Sequence, residues 1–444
     1  MIRYRARWVL PISAPPLEDG VVAVEHGRIA YVGPAAGAPP GDTRHLGDAM
    51  LMPGLVNAHT HLELTALRGF LEDLDFARWI TRLQAVKKAV FDRDQFLDAA
   101  RLGLAEVVRA GITTYADTCD SGVAFDAMLE AGVRGIMYQE VFGPDPAVAQ
   151  ASLAELASKI DALRSRQTPL VRVGVSPHAP YSVSDALFAS VARYAAEQSL
   201  PVAVHIAESD VERQLVEQGE GVFADSLRRR GIAVSRRGRS SIDVLSRAGV
   251  LDGKPLLIHC VRVDAADIEQ IAASESSVAH CPVSNAKLGH GVAPLTALLD
   301  AGIAVGLGSD SMASNTHMDL LAESRAAMLA QGARDGRRDA LGAHAALRLA
   351  TISGARALGL DGEIGSLEVG KAADLAAFPL PAEPGLVHDP VAAAVRAMPG
   401  TAACLVTVAG RELVRDAEFL SGNAGLPARV ERIAARVRAW ALAE

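Results

Sequence analysis

The feature that most constrains this chain is a repeat: short apolar runs alternate with stretches of helical period. The runs fall at 52–61, 111–117, 133–140, 170–176, 201–205, 255–259, 277–280 and 303–308. Between them, 96–110, 124–131, 147–166 and 185–198 carry apolar residues at helical spacing. Alternation of this kind implies a parallel sheet. Eight units predict an α/β fold of TIM type, a closed (β/α)8 barrel over residues 51–360. Such barrels keep their chemistry at the C-terminal ends of the strands, and that is where ionisable residues collect here.

The rhythm is absent before residue 51 and stops again near 360. Residues 20–33 read as a hairpin turning at His26-Gly27, with His26 a solvated turn residue. Residues 365–378 read as a turn and a strand followed by a Pro-rich loop, and 406–414 as a second hairpin. The expectation is a small composite β-sandwich built from 1–50 plus 361–425, with the barrel inserted into it. Residues 426–444 read as an Arg-bearing amphipathic helix packed on the outside.

With 444 residues, half of them apolar, the chain suits one large domain and one smaller one. A net charge of −8 gives no reason to expect nucleic acid, and no apolar run reaches membrane-spanning length. Cys119, Cys260, Cys281 and Cys404 are widely spaced without a CxxC pair, so they read as buried thiols of a cytoplasmic protein. The long connection 210–253 contains Arg228-Arg229-Arg230 and Arg236-Arg237-Gly238-Arg239. It reads either as a solvated face or as a lid that offers a guanidinium to an anionic substrate group.

His59 and His61 are two residues apart at the end of the first run, so both imidazoles leave one face of the strand. Two imidazoles on one face make half of a metal site. His178, His205, His259, His280 and Asp310 close other runs, and Glu208 follows His205 by three residues. Any one of them alone reads as a hydrogen-bonded structural residue. Six of eight strands ending this way read as a site.

The motifs PGLVNAHTHLE, GVSPHAPYSVS, HIAES, LIHCVRVDAADI, AHCPVSNAKLGHGVAPL, GLGSDSMASN and GKAADL span nearly the whole chain. Through them the sequence resembles the amidohydrolase superfamily. Within it, the resemblance is to the mononuclear ATZ/TRZ-like aminohydrolases and chlorohydrolases, most of all the aminodeoxyfutalosine and S-adenosylhomocysteine/methylthioadenosine deaminases. It implies that His59, His61, His205 and Asp310 hold one divalent metal ion, Zn²⁺ with Fe²⁺ as the alternative. It further implies that Glu208 shuttles the proton of a metal-activated water, that His259 orients this water, and that Asp310 passes a proton to the leaving group. His178, Trp79 and Glu140 are the implied substrate contacts. For Trp79 a role as core or lid anchor stays open, and Glu140 is the alternative bridging carboxylate of a binuclear site. Cys119 and Met312 are further candidates for the pocket lining, and a homodimer is common in the resembled family.

The implied activity is hydrolytic deamination of an aminated aromatic heterocycle, a small-molecule substrate. Methylthioadenosine/S-adenosylhomocysteine deaminases carry an RG-type motif at the end of strand three and a ribose-binding glutamate after strand one. This chain has Tyr138-Gln139-Glu140 and Leu83-Gln84-Ala85-Val86-Lys87-Lys88 in those places. The HTHLE start and the EVFGP strand end look more like aminodeoxyfutalosine deaminases of the menaquinone pathway. An s-triazine chlorohydrolase or aminohydrolase remains the other alternative, since it shares every implied metal ligand.

Overall fold

The computed structural model describes residues 1–380, 385, 387–421 and 425–443. The Pro-rich loop expected after Phe378 lies partly outside the described residues. Five N-terminal strands come first: β1 (Ile2–Val9), β2 (Leu17–Glu25), β3 (Arg28–Pro34), β4 (Asp42–His45) and β5 (Ala49–Pro53). Eight strands alternate with helices after them: β6 (Leu55–Thr60), β7 (Ile112–Cys119), β8 (Arg134–Val141), β9 (Val171–Pro177), β10 (Ala203–Ile206), β11 (Leu256–His259), β12 (Ser277–His280) and β13 (Val305–Leu307). Four more follow: β14 (Leu375–Pro379), β15 (Leu405–Val408), β16 (Arg411–Arg415) and β17 (Glu418–Phe419).

Strands β6 to β9 pair in parallel in chain order, as do β10 to β13. Isolated parallel bridges join the edges of these two sheets at Val175–Val202 and at Thr60–Asp310. The second bridge needs a close approach that only a missing side chain allows. A Cβ on Gly308 would sit 2.8 Å from His59 Cβ and 2.9 Å from Cys281 Sγ. The eight strands are buried along nearly their whole length, because helices cover a parallel sheet.

The two ends of the chain share one sheet in the order β17-β16-β15-β14-β5-β1-β2-β3, with β4 on β1. The hairpin expected at 20–33 is β2–β3, and its turn puts both His26 and Gly27 at positive φ. β14 runs antiparallel to β5, so the polypeptide re-enters beside the strand it left before the βα series. A buried ion pair fixes this joint: Arg134 Nε of β8 reaches Asp374 Oδ2 at 2.8 Å, and Asp374 Oδ1 accepts the Ala409 amide at 2.7 Å. The aspartate of GKAADL is thus a clasp between terminal sheet and βα body.

The connection 210–253 folds into three α-helices, Asp210–Gln218, Gly221–Arg229 and Ser241–Arg247, and a short 3-10 helix, Leu251–Gly253. The C-terminal helix Leu426–Ala443 packs Ile433 and Val437 into a cluster with Trp79, Leu83 and Val86 of the helix Phe76–Val90. The C-terminal helix lies on the outside with most of its residues exposed, and Trp440 in addition reaches a cavity wall. Its apolar stripe is used on that helix, which itself faces the cavity. Among the described residues no helix is long and apolar enough to cross a membrane.

Candidate active site

The C-terminal ends of β6, β9, β10 and β11 meet the turn after β13. His59 is buried at 1 % exposure, and neither of its ring nitrogens makes an aligned hydrogen bond. Its Nε2 lies 3.3 Å from Asp310 Oδ1, and His61 Nε2 lies 3.6 Å from the same oxygen. His61 Nε2 faces His205 Nε2 at 3.2 Å. Donor atoms of His59, His61 and His205 all fall within 4.8 Å of one another, as do those of His59, His259 and Asp310.

The surroundings aim these atoms. His61 Nδ1–H donates to the Thr118 carbonyl at 2.9 Å and His205 Nδ1–H to the His178 carbonyl at 3.2 Å, which leaves each Nε2 bare. Asp310 Oδ2 accepts the hydroxyls of Ser284 at 2.5 Å and Ser314 at 2.8 Å, so Oδ1 is the oxygen turned to the imidazoles. Asp310 and His259 hold positive φ of 56° and 77°, left-handed backbone that bulky residues adopt only when their surroundings enforce it. Burial pushes His61 down to about 4 and moves His59 and His205 the same way, so all three rings are neutral at pH 7. Burial opposes ionisation of Asp310, yet His59 and His259 hold its carboxyl well below the usual range. Neutral imidazoles beside a carboxylate, with orphaned ring nitrogens, fit a divalent cation.

Next to this cluster, Glu208 is buried at 4 % exposure. Its Oε1 lies 3.6 Å from His259 Nε2 and 3.2 Å from His290 Nε2, close charge contacts rather than aligned hydrogen bonds. Burial raises the carboxyl, but these two histidines outweigh it and hold Glu208 below its ordinary value. His259 Nδ1–H donates to Asn285 Oδ1 at 3.0 Å, which fixes the ring so that Nε2 faces the site.

A cavity of about 960 Å³ opens from these groups, and His61, His178, His205, Glu208, His259 and Asp310 line it. Phe76, Trp79, Tyr181 and Phe223 give it an aromatic wall, with Tyr181 and Phe223 stacked at 4.5 Å. Trp79 is at once wall and anchor, its indole N–H reaching the Ala313 carbonyl at 3.4 Å. Glu140 lies 3.9 Å from His178 Nε2, its Oε1 has no hydrogen bond, and burial pushes it up to about 8. His280 ends β12 buried, and neither it nor Cys119 or Met312 lines the cavity. Cys119 instead donates its thiol to Glu63 Oε2 at 3.1 Å.

Sequence reasoning left several lining or supporting groups unassigned. Glu63 is buried and pairs with the cavity-lining Lys87 at 3.0 Å. Burial opposes that charge, but Lys87 with hydrogen bonds from Ser121 and Cys119 holds the carboxyl down to about 2. Glu63 and His290 stand inside the quoted HTHLE and LGHG motifs and were signalled there. Trp440 carries no local signal.

A carboxylate and neutral imidazoles gathered for a cation, with a second buried carboxylate one contact away, put the protein among metal-dependent hydrolases. It belongs to the amidohydrolase family, whose model matches residues 50–412, and it hydrolyses carbon–nitrogen bonds. It is 35 % identical over 373 residues to the 5-methylthioadenosine/S-adenosylhomocysteine deaminase of Moorella thermoacetica, with 83 % of each chain covered. A zinc-bound adenosine deaminase from Xanthomonas campestris superposes with a TM-score of 0.87 at 32 % identity, over 99 % of this chain and 98 % of that one. Atrazine chlorohydrolase TrzN from Arthrobacter aurescens TC1, complexed with zinc, follows at 0.83 and 26 % identity, over 98 % of this chain and 100 % of that one.

Proposed function

We propose that the protein is a hydrolytic deaminase of an adenine-type nucleoside whose 5′ substituent carries an anion, with aminodeoxyfutalosine the first candidate. The observation that carries this reading is the cavity itself. Its floor is the metal-ready cluster with Glu208, its wall is aromatic, and Arg78, Arg82, Arg229 and Arg230 also line it. A nucleoside ending in a benzoate would use the aromatic wall twice, for the base and for the second ring, and would present its carboxylate to the guanidiniums. The names of the relatives favour a second reading within the same class, S-adenosylhomocysteine, which also carries a carboxylate.

His59, His61, His205 and Asp310 would hold the ion, one per chain and zinc by preference, since the solved relatives named above carry zinc. The ion when bound supplies a Lewis acid that makes water acidic near neutral pH. Glu208, ionised and reachable from His259, takes a proton from the attacking water and delivers it to a ring nitrogen of the purine. His259 holds the water through Nε2. Asp310 moves the second proton to the departing amine, so water adds oxygen to the ring carbon and ammonia leaves. His178 and Trp79 hold the base, and Glu140 accepts a hydrogen bond from the sugar.

The same proposal includes a closed (β/α)8 barrel and a sandwich-like terminal domain over 1–50 plus 361–425. The bridges between the two parallel sheets and the pairing of β14 on β5 support it. The test is ammonia release from aminodeoxyfutalosine, S-adenosylhomocysteine, methylthioadenosine, adenosine and guanine side by side. The two carboxylate-bearing nucleosides should lead in kcat/KM. A lead for uncharged methylthioadenosine would remove the anion from the reading, and activity on none would transfer the site to other heterocycles such as triazines.

A further inference from the structure

Among the cations that line the cavity, one differs in how it is held. The Arg78 side chain is 81 % exposed, and Arg229 and Arg230 are exposed at the end of their helix. Lys87 is already engaged by Glu63. Arg82 is half-buried, and its guanidinium lies 5.3 Å from the ring centroid of Phe70 and 5.3 Å from that of Trp440. No ion pair or hydrogen bond of its side chain occurs among the described residues. A guanidinium held by two aromatic rings keeps all five N–H donors free while losing little further freedom when it binds.

We infer that Arg82, clamped by Phe70 and by Trp440 of the C-terminal helix, is the specificity-determining residue that binds the substrate's carboxylate. This rests on the nucleoside deaminase reading and deepens it. The aromatic clamp leaves the guanidinium edge free for a two-pronged bond to a carboxylate. It also gives the C-terminal helix a role. Trp440 is one jaw of the clamp and lines the same cavity, so a segment remote from the chemistry in sequence contributes to substrate choice. The Phe70 and Trp440 rings are 6.1 Å apart and tilted by 56°, which sets the guanidinium against both faces.

The test compares Arg82→Met, Arg82→Lys and Trp440→Ala in the metal-loaded full chain. The readout is the ratio of kcat/KM for aminodeoxyfutalosine or S-adenosylhomocysteine to that for methylthioadenosine. Arg82→Met should lower this ratio about 10–100-fold through KM. Arg82→Lys should recover part of the loss, and Trp440→Ala should lower the ratio by a smaller factor. Melting curves and metal content separate these effects from loss of fold, and Trp440→Phe, which keeps an aromatic face, should retain most of the ratio. A ratio that stays put in Arg82→Met, or an equal loss on charged and uncharged nucleosides, overturns the role of Arg82 and leaves the deaminase reading standing. A wild-type protein that deaminates none of the three removes both.

Discussion

Glu208 sits where a buried carboxylate meets two imidazoles, and the protein has no other acid within the same reach of His259 Nε2 among the described residues. Glu208→Gln keeps the shape and removes the carboxylate. It should lower kcat about 10²–10⁴-fold while the metal content, read by elemental analysis, stays at the wild-type level. Glu140 gives a prediction of the opposite kind, on stability. Its carboxyl is raised from 4.5 to about 8 by burial, so between those values the folded state keeps a proton that the unfolded chain releases. Stability from this group is therefore lost as pH rises through that window. Glu140→Gln should flatten the fall of melting temperature between pH 5 and pH 8, and an unchanged slope in differential scanning calorimetry would count against a buried neutral Glu140. At this scale the site was legible wherever chain periodicity alone exposes a side chain. His59 and His61 declare themselves by their spacing of two. Lys87 did not, because its partner Glu63 lies 24 positions away in sequence and only the tertiary fold brings them together.

The Arg-rich connection divides by element. Arg237 fastens the segment by donating to Asp185, to the Pro180 carbonyl and, at 3.0 Å, to the Val183 carbonyl. Arg239 bonds Asp264 at 2.7 Å and Asp267 at 2.5 Å. Arg229 and Arg230 instead line the cavity. Of the two expectations for this stretch, the solvated face fits Arg228, Arg229, Arg230, Arg236 and Arg239, all exposed, while Arg237 is partly buried against its partners. Charge runs carry no sign of which member will find a carboxylate, since those acids lie on other helices. Arg237→Ala should speed limited proteolysis within residues 228–239 several-fold without changing metal content, and an unchanged cleavage rate would make the anchoring incidental. The C-terminal helix shows the same limit. Its amphipathic period was readable, but the identity of the face beneath it was not. Ile433→Ala, at a side chain only 3 % exposed, should cost about 2–4 kcal/mol in urea unfolding.

For the whole molecule, the strand–helix rhythm located all eight βα strands to within a few residues, because a parallel sheet buried on both faces requires apolar runs with little else to confuse them. The joining of both chain ends was also expected, though as a β-sandwich, and the structure pairs their strands in one nine-stranded sheet. What periodicity does not contain is the clasp that makes the joint specific, Arg134 with Asp374, a pair separated by 240 residues. Metal and fold should be linked at this scale. The proposed ligands, in or just after β6, in β10 and in the turn after β13, span the βα body, so on that proposal chelation should lower the melting temperature and re-addition of zinc should restore it.

Metal dependence and deamination meet in one measurement: ammonia release from aminodeoxyfutalosine and S-adenosylhomocysteine while zinc is titrated into chelator-treated protein. Activity on a carboxylate-bearing nucleoside should rise linearly and level off at one zinc per chain. Full activity before any metal is added, a plateau only at two equivalents, or no ammonia at any zinc level would contradict a one-metal nucleoside deaminase built on His59, His61, His205 and Asp310.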